Sequence, residues 1–583
     1  MFFITKMNVL RTMGKNSVAS FCLAIFLLAG CSASKDLTTP AEVPASAPTP
    51  AATEMAGEDA SSVIEDAETE ASEDMLDHWM HLNGDDGAYV GIGTERAYQS
   101  VLADKEPLKK VVVAVIDSGV DIEHEDISIW KNDDEIAGNG VDDDKNGYVD
   151  DVYGWNFIGG PDGENIYYDT FELTREFARL NPVFEGVDSN TLSEEQQDEY
   201  AYFLEIKNDY EAEVQKMTEI YNNINGAAGM FDAANSIMGD FLKNEAFTVD
   251  DVKKTESPRE EVQQAKSIIL YFDELGLDQA QLLEERETFE GYLQKGLNTD
   301  FDPRGIVGDN YSDLTEKFYG NNNVTGPDSF HGTHVAGIIG AKRGNALGID
   351  GVANSVEIMA VRAVPKGDER DKDIANAIRY AVDNGADIIN MSFGKSVSPQ
   401  KAVVDEAIQY AESNNVLMIH AAGNDGENTD EEGNFPTAHL LENNGKVSTW
   451  IEVGASSWEG PQNLAASFSN FGKMNVDVFA PGVDIFSTIP GNKYKHSDGT
   501  SMASPVVAGL AALIMAYYPQ FSAAEIKEIL LNSAASYAEQ MVTQPGTEAT
   551  MIPFGALSRT GSIVNAYQAL KLAEEKAKAG DME

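Results

Sequence analysis

Cysteine, positive charge and long apolar runs are what this 583-residue chain has least of. Its only cysteines are Cys22 and Cys31, both near the amino end, so a disulfide-stapled fold is excluded whatever the compartment. Lys and Arg total 41 against 97 Asp and Glu, a formal net charge of -56, which argues against a protein that tracks nucleic-acid phosphates. The excess acid suits solubility, salt tolerance or cation binding. The apolar stretch from Val18 to Ala29 is too short to span a bilayer. What is present is a 42% apolar, 9% aromatic composition, in a length that fits two or three ordinary domains or one large domain with additions.

The amino end carries Lys6, Arg11 and Lys15 without acid, then the apolar stretch, then Leu28-Ala29-Gly30-Cys31. Residues 1–30 therefore read as a secretory signal. Its ending resembles the bacterial lipobox, which implies a lipidated Cys31 as the mature N-terminus. The protein would then be anchored in the bacterial cell envelope, at the outer membrane or a periplasmic or extracellular face. An ordinary cleaved signal with a chance cysteine is the alternative. Residues 31–75 are mostly Ala, Pro, Thr, Ser and acid, a disordered tether that holds folded protein away from the surface. Near the other end, a capping box at Ser522 and Glu525 and a pattern at Ile563, Ala566, Tyr567 and Leu570 close the folded part, leaving 576–583 as a tail.

Three motifs carry the chemistry. Val111 to Ile116 is a continuous run rich in β-branched residues, as in a central parallel strand, and it stops at Asp117-Ser118-Gly119. His331-Gly332-Thr333-His334 opens a short buried helix. The two histidines lack the helical Glu and the third ligand of a zinc site. Gly499-Thr500-Ser501-Met502-Ala503-Ser504-Pro505 leads into an apolar helix, which puts Ser501 at a helix N-terminus, where developing negative charge is favoured. Acyl transfer by serine needs a nucleophile, an imidazole and an orienting carboxylate, and Ser501, His331 and Asp117 supply one of each.

The Asp-His-Ser order and these motifs together resemble the subtilase family of serine peptidases. The resemblance implies a three-layer α/β/α fold with a mainly parallel central sheet, and an endopeptidase that acts on peptide or protein substrates without an organic cofactor. It also assigns further residues. Ala421-Ala422-Gly423-Asn424 is similar to the oxyanion segment, with Asn424 and the Ser501 N–H as donors and Ala422 and Gly423 beside the substrate. Ser392, Phe393 and Gly394 are similar to the edge that pairs with the substrate backbone. Many members carry a second glycine next, where this chain has Lys395, a residue placed to attract acidic substrate side chains. Phe435-Pro436 resembles the aromatic-Pro floor of the specificity pocket, beside Asn434. A non-catalytic, calcium-dependent binding lipoprotein on the same scaffold is the alternative.

The loop from Asp142 places Asp142, Asp144, Asn146 and Asp150 at positions one, three, five and nine of a calcium loop, with the Tyr148 carbonyl at seven. This all-oxygen set suits structural Ca2+, completed by Asn132 or Glu135, since Tyr153 replaces the bidentate acid at position twelve. Asp117 and His331 are 214 positions apart. Much of the excess is helical, with a capping box at Ser193 and Gln196 and a face of Phe203, Ile206, Tyr210, Val214, Met217 and Tyr221, then another of Leu282, Phe289 and Leu293. The expected division is a catalytic part at 76–160, a helical insertion at 161–320 and the rest of the catalytic domain at 321–575. The stretch Trp79 to Tyr98 would wrap the catalytic domain.

Overall fold

A computed structural model of the chain describes residues 76–83, 89–442 and 445–580. The signal, Cys31 and the tether through residue 75 lie outside the described residues, as do Asn443, Asn444 and the last three positions of the tail.

Strand β1 is Val111–Asp117, and all but one of its residues are buried. Around it run β2 (Gly154–Asn156), β3 (Val356–Arg362), β4 (Ile388–Met391), β5 (Leu417–Ala421), β6 (Trp450–Ser456) and β7 (Val478–Pro481), in the order β7-β6-β5-β4-β1-β3-β2. Every pair in this series is parallel. A hairpin of β8 (Ile485–Ile489) and β9 (Lys493–Ser497) stands apart. Two-residue strands β10 (Ala535–Ser536) and β13 (Ser562–Ile563) extend the sheet beyond β7, β10 being antiparallel, and β11 (Met541–Thr543) pairs with β12 (Met551–Pro553).

The helices are α1 (Thr94–Gln99), α2 (Glu172–Phe184), α3 (Glu194–Leu242), α4 (Val249–Lys254), α5 (Glu260–Glu274), α6 (Gln279–Gly291), α7 (Phe330–Gly340), α8 (Asp371–Asp383), α9 (Lys401–Ser413), α10 (Thr500–Tyr517), α11 (Ala523–Asn532) and α12 (Ala566–Gly580). Alternation along β1 sends Ala114 and Ile116 into one core, shared with Ile374, Ile378, Val404 and Ile408 of α8 and α9. Helices α7 and α10 pack on one another and on β1 from the other face. The layers are thus helix, sheet, helix, and strands covered on both faces read as the unbroken apolar runs seen in the sequence. Helix α10 is long and apolar enough to cross a membrane by length and composition, but it is buried throughout as the core helix of this domain.

Helices α2 to α6 form the insertion between β2 and β3. The capping box at Ser193 is made as expected. Phe203 and Ile206 of α3 pack with Leu173, Leu180 and Phe184 of α2 in a small core of their own, and further along α3 Phe231 meets Phe272 of α5. The flanks belong to the sheet domain: Ile166, Val307 and Tyr319 lie in the core shared with α8 and α9. Trp79 donates its indole N–H to the Val483 carbonyl and Ile92 accepts from Ala566 N, so the stretch before β1 lies against the sheet domain.

Candidate active site

The functional side chains gather where the parallel strands end. Asp117 closes β1 and is 2% exposed. His331, second residue of α7, points Nδ1 at both Asp117 oxygens, at 2.8 and 2.9 Å. Glycine makes this approach possible: a Cβ on Gly332 would lie 2.2 Å from the Gly119 carbonyl oxygen and 3.1 Å from the Asp117 Cβ. The Thr333 hydroxyl ties α7 to the turn after β1, accepting from Asp121 N at 2.8 Å.

Burial works against the His331 imidazolium, but the Asp117 charge and hydrogen bond outweigh it and hold the pKa above the ordinary 6.5. His334 does the opposite. It is fully buried, Nε2 lies 2.9 Å from the Lys495 carbonyl, and burial pushes its pKa down to about 3. A neutral, buried His334 held by the hairpin is a structural group, and the two histidines do not converge on a common ligand.

Ser501 is the second residue of α10 and is nearly buried. Its hydroxyl donates to the Ser392 carbonyl at 3.1 Å, and among the described residues it makes no direct hydrogen bond to His331. Such pairs are often long without substrate. Ser392 is fixed from below, its hydroxyl donating to the Ser501 carbonyl at 3.0 Å while Asn390 Nδ2 donates to it at 2.9 Å. Asn424 Oδ1 accepts from the Thr500 N–H at 2.8 Å and from the Thr500 hydroxyl at 3.1 Å. That hydroxyl in turn accepts from Gly423 N at 3.1 Å. Thr500 is thus a positioning residue that sequence reasoning left unassigned, although it sits inside the Gly-Thr-Ser motif. Asn470, read as scaffold, holds the following turn by accepting from Asp425 N and Glu427 N, both at 2.9 Å.

Gly394 and Gly423 both lie close to Asn434. A Cβ on Gly394 would meet Asn434 Oδ1 at 2.2 Å, and one on Gly423 would lie 3.6 Å from its Cγ. Asn434 is oriented by donating to the Ala421 carbonyl at 3.0 Å. The expected role of Lys395 needs correction. It is 5% exposed, and its ammonium lies 2.7 Å from Glu172 and 2.8 Å from Asp371, so it is saturated and cannot attract substrate acids.

In the acidic loop the regular spacing is not what gathers the carboxylates. Asp142 accepts from Asn146 N and Gly147 N, and Asp150 from Asn139 N and Gly140 N, while Glu135 accepts from Asp143 N and Asp144 N and Asp144 from Asn146 N. The Tyr148 ring is buried against Trp155, Phe157 and Tyr380. The carboxylates that meet are Glu135, Asp144 and Asp151, with oxygens within 4.8 Å of one another. Asn132 and Asn146 bridge Asp144 to Asp151 through their amides at 3.0–3.2 Å. Glu135 is 5% exposed and its Oε2 has no hydrogen-bond partner. Burial, with Asp144 adding to it, pushes the Asp151 carboxyl up despite donors from Tyr380, Asn146 and Asn132. Three acids and an orphaned buried oxygen fit a hard cation.

Residues 108–551 match the sequence pattern described as "Subtilase family". The chain is 47% identical over 185 residues to "Thermophilic serine proteinase" of Bacillus sp. (strain AK1), covering 32% of this chain and 42% of that protein. It is 40% identical over 212 residues to "Subtilisin NAT" of Bacillus subtilis subsp. natto, covering 36% and 51%. Among solved structures, one titled for proteases from Pseudoalteromonas arctica PAMC 21717 aligns with 43% of this chain and 78% of its own at 29% identity, with a TM-score of 0.35. The chain spans about half the length of the curated relatives it matches.

The Asp117–His331 contact is directly measurable. Titration of His331 by NMR should give a midpoint above 6.5, and Asp117→Asn should bring that midpoint down, because the charge opposing the burial penalty is gone. An unchanged midpoint in Asp117→Asn would mean that the carboxylate does not face the imidazole in solution.

Proposed function

The chain belongs to the subtilase family, and from that premise we propose that it is a calcium-stabilised, membrane-tethered serine endopeptidase in which Asp117, His331 and Ser501 carry the reaction. The observation that supports this most is the 2.8 Å approach of His331 Nδ1 to Asp117 at the same sheet end where the helix bearing Ser501 begins. With Nδ1–H donated to Asp117, the tautomer leaves Nε2 as the base. The Ser501 hydroxyl turns from the Ser392 carbonyl to Nε2, gives up its proton and attacks the substrate carbonyl carbon. His331 passes that proton to the departing amine, and water then repeats the sequence on the acyl-enzyme. The oxyanion meets the Ser501 N–H and Asn424 Nδ2, since Oδ1 of that amide is held by Thr500. The segments at Gly394 and Gly423, beside Asn434, would flank the side chain of the residue whose carbonyl is attacked. Ser392 to Gly394 offers backbone to the acyl segment, which recognises an extended chain without demanding particular side chains.

A cation held by Glu135, Asp144 and Asp151, flanked by Asn132 and Asn146, would supply positive charge to a buried acidic cluster and serve stability rather than catalysis. The anchor rests on sequence: the basic leader, the apolar stretch and Leu28-Ala29-Gly30-Cys31 support lipidation of Cys31 and attachment to the bacterial envelope.

Purified protein with calcium should hydrolyse denatured casein, and Ser501→Ala should not. Asn424→Ala should keep its fold and lose turnover by about 100- to 1000-fold, the size established for such a donor in a subtilisin. A wild type that is folded but inactive would leave the binding-lipoprotein reading in its place. Chelation should lower the melting temperature, by an amount equivalent to about 2.7 kcal/mol if calcium had stood at a hundredfold its Kd. That response should vanish in Asp151→Ala and persist in Asp142→Ala; the reverse pattern would restore the regular-loop ligand set. Labelled palmitate should enter the wild type but not Cys31→Ala, and equal labelling would remove the anchor.

A further inference from the structure

The structure bears on how much substrate the cleft can hold, given the peptidase reading above. His331 must hand its proton to the departing amine, so the leaving segment lies on the His331 side. The acyl segment therefore runs along Ser392, Phe393 and Gly394, away from the Ser501 hydroxyl that contacts the Ser392 carbonyl. Gly394 is exposed and carries no side chain to obstruct pairing. At Lys395 the open edge ends. Its N–H donates to the Phe435 carbonyl at 3.1 Å, and its own carbonyl accepts from Phe435 N at 2.8 Å. Three residues beyond the end of β4, at no more than about 3.3 Å each, give at most about 10 Å of edge.

The side chain of Lys395 ties the same segment to the insertion. Its ammonium reaches Glu172 at 2.7 Å, the first residue of α2 in the insertion, together with Asp371 at 2.8 Å and the Glu369 carbonyl at 2.9 Å on the loop that follows β3. Glu172 also donates its N–H to Asp368 at 2.8 Å and pairs with Arg175 at 2.8 Å. Arg175 in turn reaches the Asp368 and Glu369 carbonyls at 3.2–3.3 Å. Glu172 is 3% exposed and the Lys395 side chain 2%, so the clamp is dry. Beyond it Val397 packs against the core formed by α2 and α3.

We propose that the first helix of the insertion seals the acyl side of the cleft, so that the enzyme collects binding energy from about three substrate residues there, with Lys395 and Glu172 as the residues that set the limit. The departure of Lys395 from glycine is the counterpart of the insertion: with no side chain at that position the edge segment would lose its ion pair to Glu172, and α2 would keep only its bonds to the loop at Asp368 and Glu369 and the Val397 contact. Substrate residues further from the scissile bond turn out into solvent and add nothing to transition-state binding.

The test is a ladder of fluorogenic peptides with two to six residues on the acyl side and a constant leaving group. The wild type should gain in kcat/KM up to three residues and then change by less than about twofold. The double variant Glu172→Ala with Lys395→Gly removes the pair together and should gain about tenfold or more from the fourth and fifth residues. In parallel, binding of the same ladder to Ser501→Ala by fluorescence anisotropy should plateau at three residues. A continued rise beyond three in the wild-type ladder, or in the anisotropy, overturns the proposal even if the double variant does not fold. A binding plateau at three without hydrolysis at any length would leave the clamp standing and remove the peptidase reading. Absence of binding at every length would remove both.

Discussion

A carboxylate at the end of a strand buried on both faces, held against an imidazole 214 positions later in the chain, is the contact on which the chemistry depends. The chain keeps it by returning from the insertion beside the point where it left. Val120 N donates to the Val324 carbonyl at 3.0 Å, and the Thr325 hydroxyl to the Val120 carbonyl at 3.0 Å. Gly119, at φ +129, lets the two strands of this crossing touch, since a Cβ there would lie 2.3 Å from the Thr325 carbonyl oxygen. The hairpin β8–β9 then fixes α7 from the other side, Thr488 and Ser487 donating to the carbonyls of Thr333 and His334 at 2.7 and 2.8 Å.

Besides the apolar contacts of Ile166, Val307 and Tyr319, the insertion's flanks are attached to the sheet domain by buried charge. Arg304 sits between Asp309 and Asp373 at 2.7 and 2.6 Å, Lys372 meets Asp309 at 2.7 Å, and Arg370 meets Asp169 at 2.8 Å. Burial alone would raise the Asp309 and Asp169 carboxyls, yet their cations hold both below the usual range. Removing one partner from such a pair typically costs about 3–5 kcal/mol, whereas replacing a whole pair by apolar groups can be neutral. The charges therefore say less about how tightly the insertion is held than about where. An ion pair tolerates little displacement, and an apolar patch of the same area would tolerate more.

What the sequence made legible was local. The apolar run ending at Asp117, the Gly-Thr-Ser turn into α10, and the capping boxes at Ser193 and Ser522 each lie within a few residues of chain, and each appears in the structure. What it hid was pairing at a distance. Lys395 finds Glu172 across 223 positions, and nothing near either residue marks the other. The acidic loop shows the same limit on a shorter scale. Spacing alone singles out Asp142 and Asp150, but backbone N–H groups compete for their oxygens once the turns form. Asp151 and Glu135, which carry no such spacing, face Asp144, although Glu135 and Asp144 also accept backbone N–H groups. Thr500 was passed over because a threonine beside the nucleophile reads as part of the motif, and only its contact with Asn424 gives it a task.

Chemistry and selection are thus assigned to different parts of the chain. The residues that seat Asp117, His331, Ser501 and Asn424 come from β1, the segment at 324–325, the hairpin β8–β9, the start of α10 and Ser392. None of these is a helix of the insertion. The residues that narrow the acyl side come from α2 and from two loops beyond the sheet end. On the proposed reading a change in the clamp would alter which peptides reach Ser501 without moving the imidazole, because no bond in the clamp is shared with the Asp117–His331 pair. Long insertions are tolerated at such a point for the same reason: closing a longer loop costs only a slowly growing entropy, provided that its ends are pinned. Here the pins at Val120 and at Arg304 lie on either side of the catalytic strand end.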